Sequence, residues 1–381
     1  MTKVGITGFT KSETDILRHL LYPYQVEFSE EQDSSDLIVR KGLFSHPSKP
    51  VVRVSALHRR NKYEVDVSLD LISACLERFD SVMNPKVAFM YKLYTCLPSQ
   101  GSTIPSALRS RFLKMHKIDA NLSQHLAIEK ARKMLVDAFE ALGLRLQRKS
   151  RPSLLITHDV DTEKGLEKAL SLKAVEDKLD LQSTWFLPSE QYRIPRDIAK
   201  SLAAGSTIGS HDVKHDSRLI RCSDYGRLVE RLRNSKLRLE TIFDTEVRCF
   251  RSPLLQFSSW IVSGLKAAGY ELDFSLPCWE PVHPQTMGGF GIESVQPFEI
   301  DGVVEIPLTL FQDHQVLNVM GFNTHQATKF WYEQAELIRS FGGDIVLLVH
   351  PDYSFSKDLD QYKRLLQSLS ELQMRTADAL K

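Results

Sequence analysis

The chain has 381 residues, 42% of them hydrophobic and 25% charged, with a formal net charge of +1. That length accommodates one large domain and one small one, and the composition is that of a globular protein. The near-zero charge excludes a broad field for nucleic acid or an anionic membrane, and no window reaches the ~18 apolar residues of a membrane span. The opening MTKVGITGFTKSE has no apolar core of signal-peptide length, so the expectation is a soluble cytosolic protein. Cys75, Cys96, Cys222, Cys249 and Cys278 are odd in number and form no CxxC pair, which indicates neither a disulfide frame nor a thiolate zinc site.

Residues 1–95 read as a small α/β domain. Lys3–Thr7 is a predicted strand and Ser12–Leu21 a predicted helix with Ser12 as its N-cap. Asp36–Arg40, Val51–Val54 and Tyr63–Val67 are short β-branched runs. The segment GITGFTKS invites a phosphate-loop reading, but the spacing between its glycine and Gly-Lys-Ser/Thr fails, leaving an ordinary strand-to-helix turn.

Residues 96–150 read as a helical connector that starts in the loop-like PSQGST. Ile128, Ala131, Leu135, Ala138 and Leu142 share one helical face, and Gly143 is placed to end that helix. The polar stretch Gln147–Ser153 is a plausible boundary.

Over residues 151–381 strands alternate with helices. The strand-like runs are Leu154–Thr157, Ser183–Leu187, Thr207–Gly209, Val247–Phe250, a piece near Leu272–Ser275, Val303–Ile306 and Ile345–Val349. Ile261, Leu265 and Ala268 share a helical face before Gly269, as do Trp331, Ala335 and Ile338 before Gly342. Such alternation predicts a βα barrel or an open parallel sheet. In barrels the chemistry lies at the C-terminal ends of the strands, and that rule selects the residues to weigh.

The first of these strands runs into Thr157-His158-Asp159-Val160-Asp161. In an extended chain Asp159 and Asp161 face the same side, and two carboxylates so close resist full ionisation unless a cation or a division of roles separates them. A strand end followed by a helix-capping aspartate is the plainer reading. His211 and His215, in SHDVKHD, are i and i+4; one helical turn would put both imidazoles on one face, as zinc ligands or as two surface histidines. Arg251 ends an apolar strand, either as a surface cap or as a partner for a carboxylate. Asp273 and Trp279 follow in YELDFSLPCWEP. The buried-looking strand DIVLLV ends in His350, suited to acid–base work or to a satisfied place in the core. Together these groups form an inventory of metal ligands, base, acid and support.

The ordered motifs THDVD, HDVKH, RSP, DFSLPCW and LVH resemble those of the polysaccharide deacetylase superfamily (NodB-homology, carbohydrate esterase family 4-like) from about Arg151 to Lys381. The resemblance implies a distorted (β/α)7 barrel behind the smaller N-terminal α/β domain. It implies one divalent metal ion, zinc first, held by Asp161, His211 and His215. It makes Asp159 the base, Arg251 the group that orients it, and His350 the acid tuned by Asp273. Trp279 and Leu348 would line the pocket for the acyl methyl. Where the family often carries an aromatic residue and glycine after R-x-P, this chain has Leu254 and Leu255, which alters the groove wall. His158 replaces a usual aromatic and Asp212 a usual Ser/Thr. Asp212 or Asp216 is either a partner for a metal-bound imidazole or a solvated loop acid. His283 and His325 read as solvated loop histidines, and His314 follows a predicted strand, from which it could reach the rim of the site.

The implied function is metal-dependent removal of an acyl group from an N-acylated sugar or glycan precursor, with neither nucleic acid nor membrane as partner. Hydrolysis of a non-sugar linear or cyclic amide, or deformylation, is the alternative on the same fold. A barrel that binds glycan without catalysis is a third.

Overall fold

The computed structural model describes residues 1–29, 35–41, 51–55, 64–89, 121–216 and 218–379. Tyr63, Cys96, the PSQGST loop and the first part of the expected connector lie outside the described residues.

The N-terminal strands β1 (Thr2–Thr7), β2 (Val26–Ser29), β3 (Leu37–Lys41), β4 (Val51–Ser55) and β5 (Glu64–Ser68) form a parallel sheet in the order β2-β1-β3-β4-β5. This is a doubly wound order. Sequence patterning missed β2, a four-residue edge strand too short to show a clear alternation. Helix α1 (Lys11–Leu21) is capped by Thr10, not by Ser12: Thr10 Oγ1 accepts the Glu13 N–H, while Glu13 Oε2 accepts the Thr10 N–H at 2.8 Å. Glu13 also takes Lys41 Nζ at 2.6 Å. A carboxylate therefore occupies the helix N-terminus that a phosphate would need, which agrees with the failed phosphate-loop spacing.

Helix α2 (Leu69–Met83) and helix α3 (Ala127–Ala141) complete this unit. Ile128, Ala131, Leu135 and Ala138 of α3 enter one core with Val4, Leu17 and Val39, and Leu142 packs against its edge. Gly143 ends the helix at φ +81°.

The second sheet contains β6 (Leu154–Asp159), β7 (Ser183–Leu187), β8 (Thr207–Ser210), β9 (Cys249–Phe250), β10 (Leu272–Asp273), β13 (Phe298–Ile300), β14 (Val303–Glu305) and β15 (Ile345–Leu348). A separate hairpin joins β11 (Glu280–His283) to β12 (Gly288–Phe290). The order is β13-β14-β10-β9-β8-β7-β6-β15, parallel throughout except for the β13–β14 pair. Between the strands run α4 (Glu163–Lys178), α5 (Arg196–Ala203), α6 (Tyr225–Phe243), α7 (Ser259–Ala268) and α8 (Thr324–Ser340), with α9 (Leu359–Ala379) last. Gly269 (φ +85°) and Gly342 (φ +69°) follow α7 and α8.

This is a distorted (β/α) barrel. Its curled sheet is closed by a side chain where backbone pairing gives out: Thr309 Oγ1 accepts the Val346 N–H at 2.8 Å and donates to Asp344 O, while the Leu310 N–H reaches Val346 O at 3.2 Å. Alternation along the strands separates two cores. Phe186, Cys249, Phe274, Leu308, Val346 and Leu348 fill the lumen. Trp185, Leu187, Ile345 and Leu347 face the helices.

Candidate active site

The C-terminal ends of β6, β8, β9 and β15 bring together the residues the motifs single out. Strand β6 ends at Asp159, and the Val160 N–H still pairs with Phe186 O, so Asp161 is the first acid free of the sheet. Thr157 and Asp159 share the inner face: Arg251 Nη1 donates to Thr157 Oγ1 at 2.9 Å and to Asp159 Oδ1 at 3.0 Å. Arg251 Nε donates to Phe274 O, and the guanidinium carbon lies 4.5 Å from the Phe186 ring centroid. A fully buried guanidinium so boxed in can hold one carboxylate oxygen in place while the other faces the cavity.

Asp159 Oδ2 lies 3.9 Å from His211 Nε2, and Asp161 Oδ1 lies 3.3 Å from the same nitrogen. Asp161 Oδ2 is 3.6 Å from His215 Nε2 and 3.8 Å from His350 Nε2. One ligand atom each from Asp161, His211 and His215 falls within 4.8 Å of the others. The donor chemistry fits a divalent metal. His211 Nδ1 faces the Arg251 carbonyl at 2.7 Å, which fixes the proton there and turns the Nε2 lone pair toward the acids. Asp161 Oδ1 is buried without a hydrogen-bond donor. With no cation counted, burial would raise the Asp161 carboxyl, but His215, His211 and His350 hold it far below the usual carboxylate range. Burial depresses His211, and Asp159 and Asp161 more than reverse that, so proton and metal compete for one lone pair.

The two histidines do not share a helix. Residues 211–216 are irregular, and Asp212 takes φ +66°, which swings the chain so that the imidazoles converge with centroids 5.4 Å apart. The local reason is Arg231 on α6. Its guanidinium pairs with Asp212 and with Asp216, both at 2.8 Å. Asp212 is accordingly neither a partner for an imidazole nor a solvated acid; it is a buried anchor of the ligand loop.

His350 is held by a residue the motifs did not mark. His350 Nδ1 meets Asp313 Oδ1 at 2.6 Å, and the His350 N–H donates to Asp313 Oδ2 at 2.7 Å. Burial alone would lower the imidazole, but Asp313, with Asp161 and Asp159 behind it, raises it to about 10. Asp273, expected in this role, points elsewhere. Its Oδ1 accepts from the Ser275 N–H and hydroxyl, and it stands in register with Glu305 on β14. Burial raises Asp273 to about 6 and Glu305 well above its ordinary value, the mark of two carboxyls in one dry place. Asp313 follows the last predicted strand before α8, in FQDHQ; its neighbour His314 attracted notice and it did not.

The remaining candidates divide. Leu348 is fully buried in the lumen core. Leu254 is half-buried at φ +56°, and Leu255 follows at φ +52°, two left-handed leucines in succession. Trp279 stacks on His125 at 3.6 Å. His314 stands edge-on to His350, with ring centroids 6.4 Å apart. His325 is exposed on the first turn of α8. His283 is not solvated: it is fully buried on β11, with Nε2 against Leu255 O at 3.1 Å and Nδ1 accepting the Gln285 N–H. His158 faces out of the barrel, between Val349 O and Glu176 Oε1, and stacks on Trp185.

No family model matches the chain, and no curated protein sequence matches it. Among solved structures it is similar to a putative polysaccharide deacetylase from Mycobacterium smegmatis, at 17% identity and a TM-score of 0.46 over 61% of this chain and 92% of that one. It is similar to the chitin deacetylase of Colletotrichum lindemuthianum at 15% identity and a TM-score of 0.42, over 58% and 83%. A carbohydrate esterase family 4 pseudoenzyme from Bacillus anthracis is similar at 14% identity and a TM-score of 0.39, over 58% and 63%. Among the described residues no helix is long and apolar enough to cross a membrane.

Proposed function

We propose that this chain is a metal-dependent amide hydrolase of the polysaccharide deacetylase kind, which removes the acyl group from an N-acylated amino sugar or glycan precursor. The observation that carries the reading is the division of labour around His211 Nε2. Asp161 and two imidazoles converge on one point, while Asp159, 3.9 Å from the same nitrogen, is tied to Arg251.

Asp161, His211 and His215 would hold the ion. When bound, a divalent metal, zinc first, supplies Lewis-acid polarisation of the amide carbonyl and a water of lowered pKa. Asp159 accepts the proton of the attacking water through Oδ2, because Oδ1 is engaged by Arg251. His350 keeps its Nδ1 proton on Asp313 and delivers the Nε2 proton to the departing nitrogen, since an amine leaves poorly as an anion. Trp279, Leu348 and Leu254 are assigned to the wall around the acyl group.

Acetate release from N-acetylated sugars, with added Zn²⁺, tests the assignment. Asp159→Asn is expected to lose about 100-fold or more in kcat while keeping its metal. His211→Ala is expected to lose the metal as well. Wild-type turnover in either variant removes the assignment, and a panel of formyl, cyclic and non-sugar amides tests the alternative substrates.

A further inference from the structure

Trp279 stands where the barrel meets the N-terminal unit. Half-buried, it packs in a tight cleft with Glu280, Leu308, Leu310, Phe311 and Gln312. Leu308 also packs with Leu348 in the lumen, and Gln312 directly precedes Asp313, the partner of His350. The cleft is thus linked through Leu308 to the lumen and through Gln312 to the segment that holds His350.

The indole is fixed from several sides. Strand β12 offers bare backbone: a Cβ added at Gly289 would collide with Cη2 and Cζ2 of Trp279, so only glycine lets the ring lie there. The His125 ring stacks on it at 3.6 Å with 5° between the planes. The Arg78 guanidinium carbon lies 5.8 Å from its ring centroid. Neither His125 nor Arg78 belongs to the barrel; Arg78 is on α2 and His125 lies two residues before α3. Glu293 anchors both, with Oε1 2.5 Å from Arg78 Nη2 and 3.7 Å from His125 Nδ1, and its Oε2 accepts the Ala127 N–H at 3.1 Å. A residue that merely filled an interface would need burial alone. Here a flat stack, a cation over the ring and a shared carboxylate set its orientation as well.

We infer that the N-terminal unit is part of the substrate-recognition apparatus: His125 and Arg78 are positioning residues that hold the Trp279 indole as the wall against which a small N-acyl group packs. This rests on the hydrolase reading above. His125→Ala is expected to raise KM for an N-acetylated sugar about 10-fold and to narrow the preference for acetyl over propionyl, because a displaced wall misplaces the bound group. Metal content and the pH profile of kcat should not change, and His125→Phe, which restores a stacked ring, should recover the wild-type KM. A second readout needs no turnover. In full-length protein carrying 5-fluorotryptophan, with the Trp279 line assigned by Trp279→Phe, that ¹⁹F line should shift in His125→Ala and return in His125→Phe. An unmoved line, or a moved line with wild-type KM and acyl preference, overturns the inference. If the wild type cleaves no N-acyl compound, the hydrolase reading fails separately. The inference then stands only if an N-acetylated sugar shifts the Trp279 line in the wild type and not in His125→Ala, and falls if it does not.

Discussion

Asp313 and Asp273 are both fully buried acids, and of the two it is Asp313 that holds His350. The distinction has a kinetic consequence. Asp313 is the first of the charges that keep the imidazole protonated to about pH 10 against the cost of burial. Removing that charge lowers the pKa of the acid, so the acid loses its proton at a lower pH. Asp313→Asn should therefore move the alkaline limb of the kcat–pH profile down by about 1–3 units, the range of one close opposite charge. Asp273→Asn should leave the limb in place, because Asp273 bonds Ser275 and faces Glu305. Asp159, Asp161, His211, His215, Arg251 and His350 were legible by residue type and motif, and the fold brings them together, the two histidines through an irregular loop and not through the helical turn their spacing suggested. Asp313 was not legible, because a carboxylate brought to an imidazole across 37 positions of chain leaves no local pattern.

At the scale of elements, the turn after β9 is the feature that local propensity opposes. Leu254 and Leu255 hold positive φ, at roughly 1–2 kcal/mol each for side chains that rarely visit that region. Surrounding structure must over-determine such a turn. Strand β11 does part of this, since His283 Nε2–H donates to Leu255 O while its Nδ1 accepts the Gln285 N–H. The second bond requires a neutral ring, because a protonated Nδ1 cannot accept. Burial, offset only by the Leu255 carbonyl, lowers His283 to about 3. The unfolded chain, with an ordinary value near 6.5, binds the proton first as the pH falls. Stability from this site is therefore complete above about pH 6.5 and is lost toward pH 3, by up to ~1.4 kcal/mol per unit. Urea unfolding of His283→Gln at pH 6, 5 and 4 should show a shallower loss than the wild type by about 1 kcal/mol per unit. An equal slope in both would place the acid sensitivity elsewhere.

Across the whole molecule, the junction between the sheet units is polar and dry. Glu129 on α3 takes Arg132, Ser294 Oγ (2.8 Å), the Val295 N–H (2.8 Å) and Gln296 Nε2 (3.0 Å), while Arg132 Nε donates to Leu20 O. Both charged residues are 1% exposed. Removing one member leaves a buried charge and several donors unanswered, so Glu129→Ala should cost about 3–5 kcal/mol. Hydrogen exchange should then show α1 and α3 losing protection ahead of β6 and β15. Uniform loss across both units would mean that the junction is not the element that breaks. Helix α3, which as sequence reads as a connector, packs within the N-terminal core, because its apolar stripe meets α1 and β3 and its polar end meets the barrel.

Most parallel strands of the barrel, the inner faces of two of its helices and the ligand-type residues near the strand ends were readable from the chain alone, whereas the β11–β12 hairpin and the antiparallel strand β13 were not. The readable features follow from local periodicity and spacing, which a single chain carries without reference to its fold. Tertiary structure alone decided what these groups face. It turned His211 Nε2 toward Asp161 by giving Nδ1 to a carbonyl on another strand, set Asp313 and not Asp273 on His350, and buried His283. It also laid His125 and Arg78 against Trp279. Each is a contact between positions far apart in the chain, selected by burial and hydrogen-bond satisfaction in three dimensions, and no local pattern encodes it.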